Sequence, residues 1–404
     1  MKKIFLVCYG GGHVRIMAPL YKYLVQHNYS VNILALTVAG SYLKEANIPY
    51  YSFKDFAHLF DKKVIDYGNK LAENNHLISK EETIYYLGAS FLDLVNELNS
   101  EEDALSLYKK QGRRAFTPIN SLKLIINYFS PDLIITTNAP RAEKAALIAA
   151  KELDIPRILI NDNAWVIGAD SQSGALYSAQ NDLADYICVQ LLESKNYLEK
   201  HSKDTKSEIV VTGTPVFDQL LSIERTENLD NIPRVLLADY DFSTWNSNSA
   251  YQLDIAIRSE LNDLARKGKI QLTFRPHPNQ PIDYSAFSHA NISNPKTEVS
   301  EVIGNYDVII TAISTVGLEA KLLGLGLVSL EGIRTLNEST VSYAELGIST
   351  GISDCINLLD AINLEFDKSK NNFYKYKYNN NSLEKIHTII KKLLCNKRGR
   401  DVII

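Results

Sequence analysis

The sequence has few cysteines, and their spacing matches no metal or redox motif. The four cysteines are widely scattered: Cys8, Cys188, Cys355 and Cys395. No two of them form a CxxC pair or the spacing of a metal site, which excludes zinc and dithiol motifs of that type. Cys8 and Cys188 lie inside apolar, strand-like runs, where a reduced and packed thiol is expected. Reduced cysteines indicate a cytoplasmic protein.

The chain also lacks an excess of positive charge and any long apolar run near its start. Its 43 basic and 47 acidic residues give a formal net charge of −4, whereas a dedicated nucleic-acid-binding protein is normally basic. We therefore expect no nucleic-acid partner. The apolar run at 4–8 ends just before Gly10-Gly11-Gly12, after about five residues, which is too short for a signal peptide or a membrane span. Residues 4–8 are predicted to form a strand.

A regular alternation of strands and helices is the main pattern that the sequence does contain. A strand over 4–8, a helix over 14–26 and a strand over 31–36 together predict a βαβ unit. A chain of 404 residues is too long for one ordinary core, so two domains are predicted. The alternation is interrupted at 224–233, a polar segment that ends in proline, as is typical of a linker.

The predicted domains are residues 1–223 and 233–381, followed by a C-terminal segment, 382–404. Within that segment, residues 382–394 carry apolar side chains at helical spacing and predict a final helix. The segment 367–381 is low in complexity and rich in lysine and asparagine, so it is predicted to be an exposed loop. In open α/β domains, ligands bind outside the carboxyl ends of the strands.

A predicted strand-to-helix turn near residue 314 carries the strongest functional signal. Residues 308–311 are apolar or β-branched, as in a strand, and helical spacing follows from Glu319. Ser314, Thr315 and Gly317 therefore lie at the carboxyl edge of a sheet, where main-chain N–H groups, hydroxyls and a helix dipole suit a phosphate. Glu319 can accept hydrogen bonds from a ribose beside that phosphate, and its alternative is a solvated helix position. The turn predicts a nucleotide attached to a sugar.

A second motif, Arg275-Pro276-His277-Pro278, follows the predicted strand over 270–274. The flanking prolines hold His277 rigidly. When protonated, its imidazole can stabilise the negative charge that develops on a departing nucleotide phosphate. Arg275 is a candidate substrate-binding residue, and its alternative is a surface salt bridge.

The first domain offers candidate residues for binding a phosphate and for removing a proton from the hydroxyl of a substrate that accepts the sugar. Gly10-Gly11-Gly12 lies between a strand and a helix, where a glycine-rich loop lets a phosphate approach the main chain, although a simple tight turn has the same sequence. His13 begins the helix, and Asp162 lies in a predicted loop, 161–170. Either residue can be the general base that deprotonates an acceptor hydroxyl. The alternatives are a surface position for His13 and capping or turn formation for Asp162.

Three stretches of the chain resemble sugar-nucleotide enzymes of the GT-B type. Residues 9–13 resemble the glycine-rich first loop of GT-B transferases, and 311–324 resemble their donor-binding motif. Residues 209–218 resemble the segment that closes the first domain in these transferases and in the UDP-N-acetylglucosamine 2-epimerase group. The resemblance implies an α/β fold with two Rossmann-like domains facing across a cleft, the GT-B fold. It also implies that the first domain binds the acceptor, the second binds the donor, and the C-terminal helix crosses back to the first.

Departures from the epimerase pattern favour a transferase. Epimerases resemble one another in the carboxylates that serve as acid and base. In this chain the corresponding residues are 10–13, 161–165 and 238–242, and most of these carboxylates are missing there. The segment 275–278 instead resembles the His-Pro motif of bacterial sialyl- and Kdo-type transferases, in which the histidine contacts the donor phosphate. Those families have an acidic motif in the first domain, for which Asp162 is an imperfect match. Asp239-Tyr240-Asp241 has the letters of a metal-binding pair but follows the first strand of the second domain, so no metal is expected.

These features predict a metal-independent glycosyltransferase that moves a sugar from a nucleotide donor to an acceptor hydroxyl. The resemblance implies a role in a bacterial surface polysaccharide, such as a capsule, a lipopolysaccharide or another glycan. The expected partners are a UDP- or CMP-linked sugar and a saccharide or lipid-linked saccharide. No cofactor is expected, because the nucleotide sugar is a substrate. The basic residues at 397–400 suggest a peripheral contact with the inner face of the cytoplasmic membrane, although a solvated tail is the commoner case.

Two other functions remain open at this point. A nucleotide-sugar epimerase or hydrolase of the UDP-N-acetylglucosamine 2-epimerase type would use the same sites but would act without a second sugar. A non-catalytic GT-B-like subunit would bind a nucleotide sugar without turnover. The nucleotide base, the donor sugar, the acceptor and the stereochemical course stay open as well.

Overall fold

The computed structural model describes ten stretches of the chain: residues 1–72, 78–137, 141–162, 174–239, 248–277, 283–294, 297–312, 314–333, 341–373 and 381–396. The chain forms two compact units. The first unit contains residues 1–162, 174–216 and 381–396, and the second unit contains the described residues from 217 to 373. Each unit is built on a six-stranded sheet whose strands are all parallel.

The first unit has its strands in the spatial order 2-1-3-4-5-6. They are β1 (Lys3–Cys8), β2 (Ser30–Ala35), β3 (Leu133–Thr137), β4 (Arg157–Ile160), β5 (Tyr186–Val189) and β6 (Glu208–Val211). Most of their side chains are apolar and buried, as expected for a parallel sheet covered by helices. The sequence pattern predicts strands over 4–8, 31–36, 133–136, 157–160, 185–189 and 209–212, and all six are confirmed with ends that differ by one residue at most.

The second unit has its strands in the spatial order 12-11-10-7-8-9. They are β7 (Arg234–Ala238), β8 (Gln271–Arg275), β9 (Asn291–Ile292), β10 (Val308–Thr311), β11 (Gly326–Leu330) and β12 (Thr350–Ile352). The sequence pattern predicts strands over 234–238 and 308–311, and β7 and β10 have these bounds. The two sheets with their helices are Rossmann-like, so the prediction of an α/β fold with two such domains is confirmed.

Helices cover both sheets. In the first unit they are α1 (Gly11–Gln26), α2 (Ala39–Glu45), α3 (Lys63–Leu71), α4 (Lys80–Leu98), α5 (Glu101–Gln111), α6 (Ile119–Phe129), α7 (Ala142–Glu152), α8 (Gly174–Gln180) and α9 (Leu192–His201). In the second unit they are α10 (Asn248–Arg266), α11 (Val299–Val302), α12 (Thr315–Leu322) and α13 (Leu358–Phe373), and α14 (Ser382–Asn396) returns to the first. Short 3₁₀ helices lie at Phe53–Leu59, Gly112–Ala115, Asp218–Ser222, Ile303–Asn305 and Glu331–Ile333.

Helix α14 packs on the core of the first unit through one apolar stripe. Ile386, Ile389, Ile390 and Leu394 are buried in the same cluster as residues of β1 and α1. Lys392 on the same helix reaches Glu208 of β6, with Nζ 3.1 Å from Oε2. The helix therefore covers apolar surface of the first unit that would otherwise face water.

Helix α13 corrects one sequence-based prediction. The segment 367–381 was expected to be a loop, but its first part, as far as Phe373, continues α13. Phe366 and Ser369 are buried on that helix. The error arose because lysine and asparagine dominate the segment, while the apolar stripe that defines the helix lies further upstream, at Leu358, Ala361 and Ile362. Residues 374–380 lie outside the described part of the chain.

The segment 224–233 is attached to the second unit by side-chain hydrogen bonds. Arg225 donates to the Ser369 hydroxyl at 2.7 Å, and Asn228 donates to the Asp307 carboxylate at 2.6 Å. Arg234, which starts β7, pairs with the same carboxylate at 2.8 Å. Although its composition is typical of a linker, the segment folds as part of the second unit.

Among the described residues, no helix is long and apolar enough to cross a bilayer.

Candidate functional site

The glycine loop of the first unit connects β1 to α1 at the carboxyl edge of the sheet. Gly10 is the N-cap of α1 in an extended conformation, and the helix begins at Gly11, earlier than the predicted start at residue 14. A side chain at Gly12 would meet no atom within 4 Å. Packing within the protein therefore does not explain the glycine at this position. The binding of a ligand by Gly10, Gly11 and Gly12 stays a prediction.

His13, in the first turn of α1, is held by a hydrogen-bonded network. Its Nδ1 is in hydrogen-bond contact with the Thr137 hydroxyl, and Thr137 donates to Glu143 Oε1 at 2.8 Å. Because the Thr137 proton points to Glu143, its oxygen must accept from His13 Nδ1–H. This network favours the tautomer in which Nε2 carries no proton. That nitrogen is then able to accept one.

Asp162 lies on the other side of the same imidazole. Its Oδ2 is 3.5 Å from His13 Nε2, while Glu143 Oε2 is 3.6 Å from Nδ1. Asp162 follows β4, and the preceding residue, Asn161, is anchored to β5 because its N–H donates to the Cys188 carbonyl at 2.9 Å. The sequence-predicted residues His13 and Asp162 are thus brought together. The remainder of the predicted loop, from residue 163, lies outside the described residues.

Sequence reasoning missed Thr137 and Glu143, both of which are completely buried. Glu143 also accepts a hydrogen bond from the Tyr9 N–H at 2.9 Å, so two donors orient its carboxylate. Burial, and secondarily the charge of Glu143, raise the pKa of the Cys8 thiol well above its usual value. The one available signal was an isolated glutamate within the alanine-rich apolar face of α7.

The predicted phosphate turn of the second unit joins β10 to α12. Ser314 is the N-cap of α12, and its Oγ accepts from the Val316 N–H at 3.3 Å. The Ser314 carbonyl accepts from the Gly317 N–H at 2.9 Å and from the Tyr343 hydroxyl at 2.7 Å. As an acceptor, the Ser314 hydroxyl still has its own proton to donate, and the exposed Thr315 side chain lies beside it. These two hydroxyls are the candidate hydrogen-bond donors to a bound phosphate.

Gly317 has a packing role that the sequence did not reveal. A Cβ at this position would lie 2.7 Å from Tyr343 Cε2, so only glycine lets that buried ring pack against the first turn of α12. Contact of Gly317 with a substrate stays a prediction. Glu319 is half-buried on the same helix. Burial is the main cause that raises the pKa of the Tyr343 hydroxyl, and the negative charge of Glu319 is the second cause. The two side chains therefore lie close together.

Arg275 and His277 lie at the carboxyl end of β8. The Arg275 guanidinium donates to the Thr297 carbonyl at 2.5 Å and to the Ser293 hydroxyl at 3.3 Å, which ties β8 to the segment after β9. These contacts use donors that a substrate would need, and the substrate-binding role of Arg275 stays a prediction. His277 is half-buried two residues beyond the end of β8. Its role in contacting the leaving phosphate likewise stays a prediction.

Asp239, at the carboxyl end of β7, is engaged by protein groups. Its Oδ1 is 2.6 Å from Arg258 Nη2, and its Oδ2 accepts from the Tyr284 hydroxyl. Burial raises the pKa of this carboxyl group, and the Arg258 charge opposes the rise. These contacts favour a structural role for Asp239. In the described part of the chain, no cluster of three or more histidine, cysteine or acidic side chains is placed to hold a metal ion.

The sequence matches no protein-family model and no curated protein, but many solved structures have a similar fold. UDP-GlcNAc 2-epimerase from Neisseria meningitidis, bound to UDP-GlcNAc, is 16% identical with a TM-score of 0.57, and the match covers 96% of this chain and 100% of that one. MurG from Acinetobacter baumannii is 15% identical with a TM-score of 0.57, covering 97% and 100%. The glycotransferase of kitacinnamycin is 12% identical with a TM-score of 0.54, covering 97% and 98%.

These three neighbours are enzymes of the GT-B-type superfamily. At such low identity the similarity establishes the fold, and both units take part because each match spans nearly the whole of this chain. The similarity in fold to GT-B enzymes that the sequence suggested is thereby confirmed. The neighbours include transferases and epimerases, so the fold is compatible with either reaction.

Proposed function

We propose that the protein is a metal-independent glycosyltransferase, which transfers a sugar from a nucleotide-sugar donor to an acceptor hydroxyl. The observation that carries the proposal is the His13 network, in which one imidazole lies between the Glu143 and Asp162 carboxylates. A transferase that inverts the anomeric centre needs a base for its acceptor hydroxyl, and an oriented histidine at a sheet edge supplies one. The open main chain at Gly12 leaves room for the acceptor beside it.

In the proposed reaction, His13 Nε2 takes the proton from the acceptor hydroxyl. The acceptor oxygen then bonds to the anomeric carbon of the donor sugar, while the bond between that carbon and the phosphate oxygen breaks and the nucleotide leaves. The positive imidazolium that forms is stabilised by Asp162 on one side and by Glu143 on the other. In this mechanism Asp162 supports the base, and the alternative is that Asp162 is the base itself.

The second unit is proposed to hold the donor. Ser314 and Thr315 donate to the donor phosphate at the start of α12, and Glu319 accepts from the ribose. His277 donates to the phosphate as its charge grows. A UDP-linked sugar is the first candidate, since the epimerase from Neisseria meningitidis is bound to UDP-GlcNAc. The resemblance of residues 275–278 to sialyl-type transferases makes a CMP-linked sugar the second.

The proposed setting is the cytoplasm, at or near the inner face of the membrane, in the synthesis of a bacterial surface polysaccharide. The proposed acceptor is accordingly a saccharide or a lipid-linked saccharide. This setting is supported by the resemblance to transferases of capsule and lipopolysaccharide synthesis, whose acceptors are growing glycans.

The test is to incubate the protein with UDP- and CMP-sugars, with and without a panel of saccharide acceptors, and to follow all sugars by NMR. We expect a new glycosidic bond and no consumption of donor when acceptor is absent. An epimer or free sugar formed without acceptor would identify an epimerase or a hydrolase. Nucleotide binding with no consumption of donor across the whole panel would identify a non-catalytic subunit.

The variant His13→Gln tests the base, with His58→Gln as the matched control because His58 is exposed in the same unit. We expect His13→Gln to lower kcat by about 10²-fold or more, which is the usual contribution of a general base. The control should behave as the unchanged protein. Equal activity of the two variants would remove His13 from the mechanism.

A further inference from the structure

Two arginines of the first unit lie beside the glycine loop and take no part in the proposed chemistry. The guanidinium of Arg141 lies over the ring of Tyr9, with its central carbon 4.8 Å from the ring centroid. Tyr9 in turn meets the ring of Tyr86 edge-on at 6.0 Å. Arg113 lines a pocket with Tyr86 and Thr37, at the carboxyl end of β2. Arg141 therefore lies against Tyr9, and Arg113 lies near Tyr86.

The charges of these arginines are incompletely balanced in the described part of the chain: Glu82 lines the same pocket as Arg113, but its carboxylate pairs with Lys54. Both arginines are half-buried, and among the described residues neither forms an ion pair with a carboxylate. The Nε of Arg141 is buried and has no hydrogen-bond partner there. Half-buried charges and buried donors are normally paired, because losing water without a partner costs free energy. A bound anion would supply a partner for both the charge and the donor.

The positions of the two charges relative to Tyr86 support this conclusion. Burial raises the pKa of the Tyr86 hydroxyl well above its usual value, and the charges of Arg141 and Arg113 both oppose that rise. Two positive charges therefore act on one buried hydroxyl. A negative charge that binds between or beside them would be attracted by both.

The main chain also holds Arg141 in an unfavourable conformation. Its φ of 72° and ψ of −122° lie outside the regions that a non-glycine residue ordinarily adopts. Such strain persists only where the surrounding structure maintains it, and it is concentrated at functional sites. The geometry places the guanidinium over Tyr9, immediately before the glycine loop.

We propose that Arg113 and Arg141 form an oxyanion subsite that binds a carboxylate or phosphate group of the acceptor. This inference rests on the proposed transferase function and names the acceptor class, which is an anionic saccharide. The planar guanidinium group forms paired hydrogen bonds with either kind of oxyanion. The Tyr9 and Tyr86 rings form the apolar wall beside it, and Gly10 follows Tyr9 directly towards His13.

The test measures binding of small anions by calorimetry at low salt. The probes are glucuronate, which carries a carboxylate, glucose 1-phosphate, which carries a phosphate, and neutral glucose. The variants are Arg113→Gln and Arg141→Gln, with the exposed neighbour Arg114→Gln as the matched control. Arg141→Gly is added because glycine tolerates a positive φ, so this variant keeps the fold even where glutamine does not.

We expect at least one anion to bind more tightly than glucose, and its Kd to rise at least tenfold in each Arg113 and Arg141 variant. The Kd should stay unchanged in Arg114→Gln. Binding of glucuronate alone identifies an acidic sugar as the acceptor, and binding of glucose 1-phosphate alone identifies a phosphate-bearing one. Anion affinities equal to that of glucose, or equal losses in Arg113→Gln and Arg114→Gln, would overturn the proposal.

The UDP affinity of the same variants separates this proposal from the proposed function. If UDP binds equally well to all of them, the subsite is independent of the donor, as we expect. If the Arg113 and Arg141 variants lose affinity for UDP as well as for the anions, the arginines bind the nucleotide. The assignment to the acceptor is then wrong. Absence of glycosyl transfer with the anion subsite intact would contradict only the proposed function.

Discussion

Tyr343 donates its hydroxyl to the main-chain carbonyl of Ser314 at a distance of 2.7 Å. The ring is buried, and it packs against Gly317 in the first turn of α12. The Tyr343 side chain thus holds the turn that contains Ser314 and Thr315. These two residues are the candidate hydrogen-bond donors to a phosphate. A residue outside the predicted motif therefore positions the turn within it.

Replacing Tyr343 by phenylalanine should loosen that turn while the ring remains packed. The free energy of unfolding should fall by about 0.5–1.5 kcal/mol, the usual net value of one hydrogen bond. The affinity for nucleotide should fall as well, because the turn becomes less well ordered. Thermal melting and calorimetry measure the two effects. Tyr251→Phe, at an exposed position of the same unit, should show neither, and equal behaviour of both variants would contradict the positioning role.

Removing the hydroxyls of Ser314 and Thr315 tests the phosphate turn itself. The double change to alanine removes two donors to a dianion, each worth about 1.5–3 kcal/mol as a charge-assisted bond. Nucleotide affinity should fall at least tenfold, with the fold intact by circular dichroism. Ser222→Ala, at an exposed site of the second unit, is the control. Unchanged affinity by calorimetry would mean that the turn is purely structural.

His277 and Glu319 should affect different kinetic constants. A hydrogen bond from His277 to the leaving phosphate strengthens in the transition state, so His277→Ala should lower kcat by about 10²-fold with little change in donor KM. A ribose contact binds ground state and transition state alike, so Glu319→Ala should raise donor KM and preserve kcat. If both variants raise KM equally and leave kcat alone, His277 is a binding residue only.

The packing of α14 on the first unit makes a stability prediction. Ile390 is completely buried in the cluster that includes β1 and α1. Ile390→Ala should lower the free energy of unfolding by about 2–5 kcal/mol, as is usual for a large-to-small change in a core, and removal of residues 382–404 should lower it further. Thr388→Ala, on the exposed face of the same helix, should change it little. A melting temperature unaffected by truncation would show that the helix is not docked.

His387 on α14 should make stability depend on pH. Burial is the main cause that lowers the pKa of its imidazole, with Lys391 and His27 adding repulsion; its Nε2 faces the Tyr29 hydroxyl at 3.2 Å. Because the folded-state pKa lies below the unfolded value of about 6.5, the unfolded state binds a proton first as the pH falls. The stabilising effect of the neutral ring is complete above that value and is lost as the pH falls through the folded pKa.

The measurement is the free energy of unfolding from pH 8 to pH 5 for the unchanged protein and for His387→Gln. The variant should show a flatter profile over this range, because glutamine does not titrate. A profile of equal slope in both proteins would assign the pH dependence to other groups.

The sequence alone determined the α/β alternation and the position of the phosphate turn. Apolar, β-branched runs and helical spacing are local properties, so β7 and β10 were predicted with their observed bounds. The turn at Ser314 was predictable for the same reason, since its strand, its hydroxyls and its helix are neighbours in the chain. The C-terminal part of α13, residues 367–373, was not predicted because it is mostly polar and carries only a weak stripe of apolar side chains.

Only the tertiary structure decided which distant residues meet. The parallel pairing of β1 with β3 places Val7 opposite Thr136, and this register brings Thr137 and Glu143 to His13 from more than a hundred residues away. The approach of Arg113 to Tyr86 and of Arg141 to Tyr9 likewise depends on how distant segments of the unit pack together. No local pattern encodes such contacts, because they follow from strand order and from packing of the whole unit.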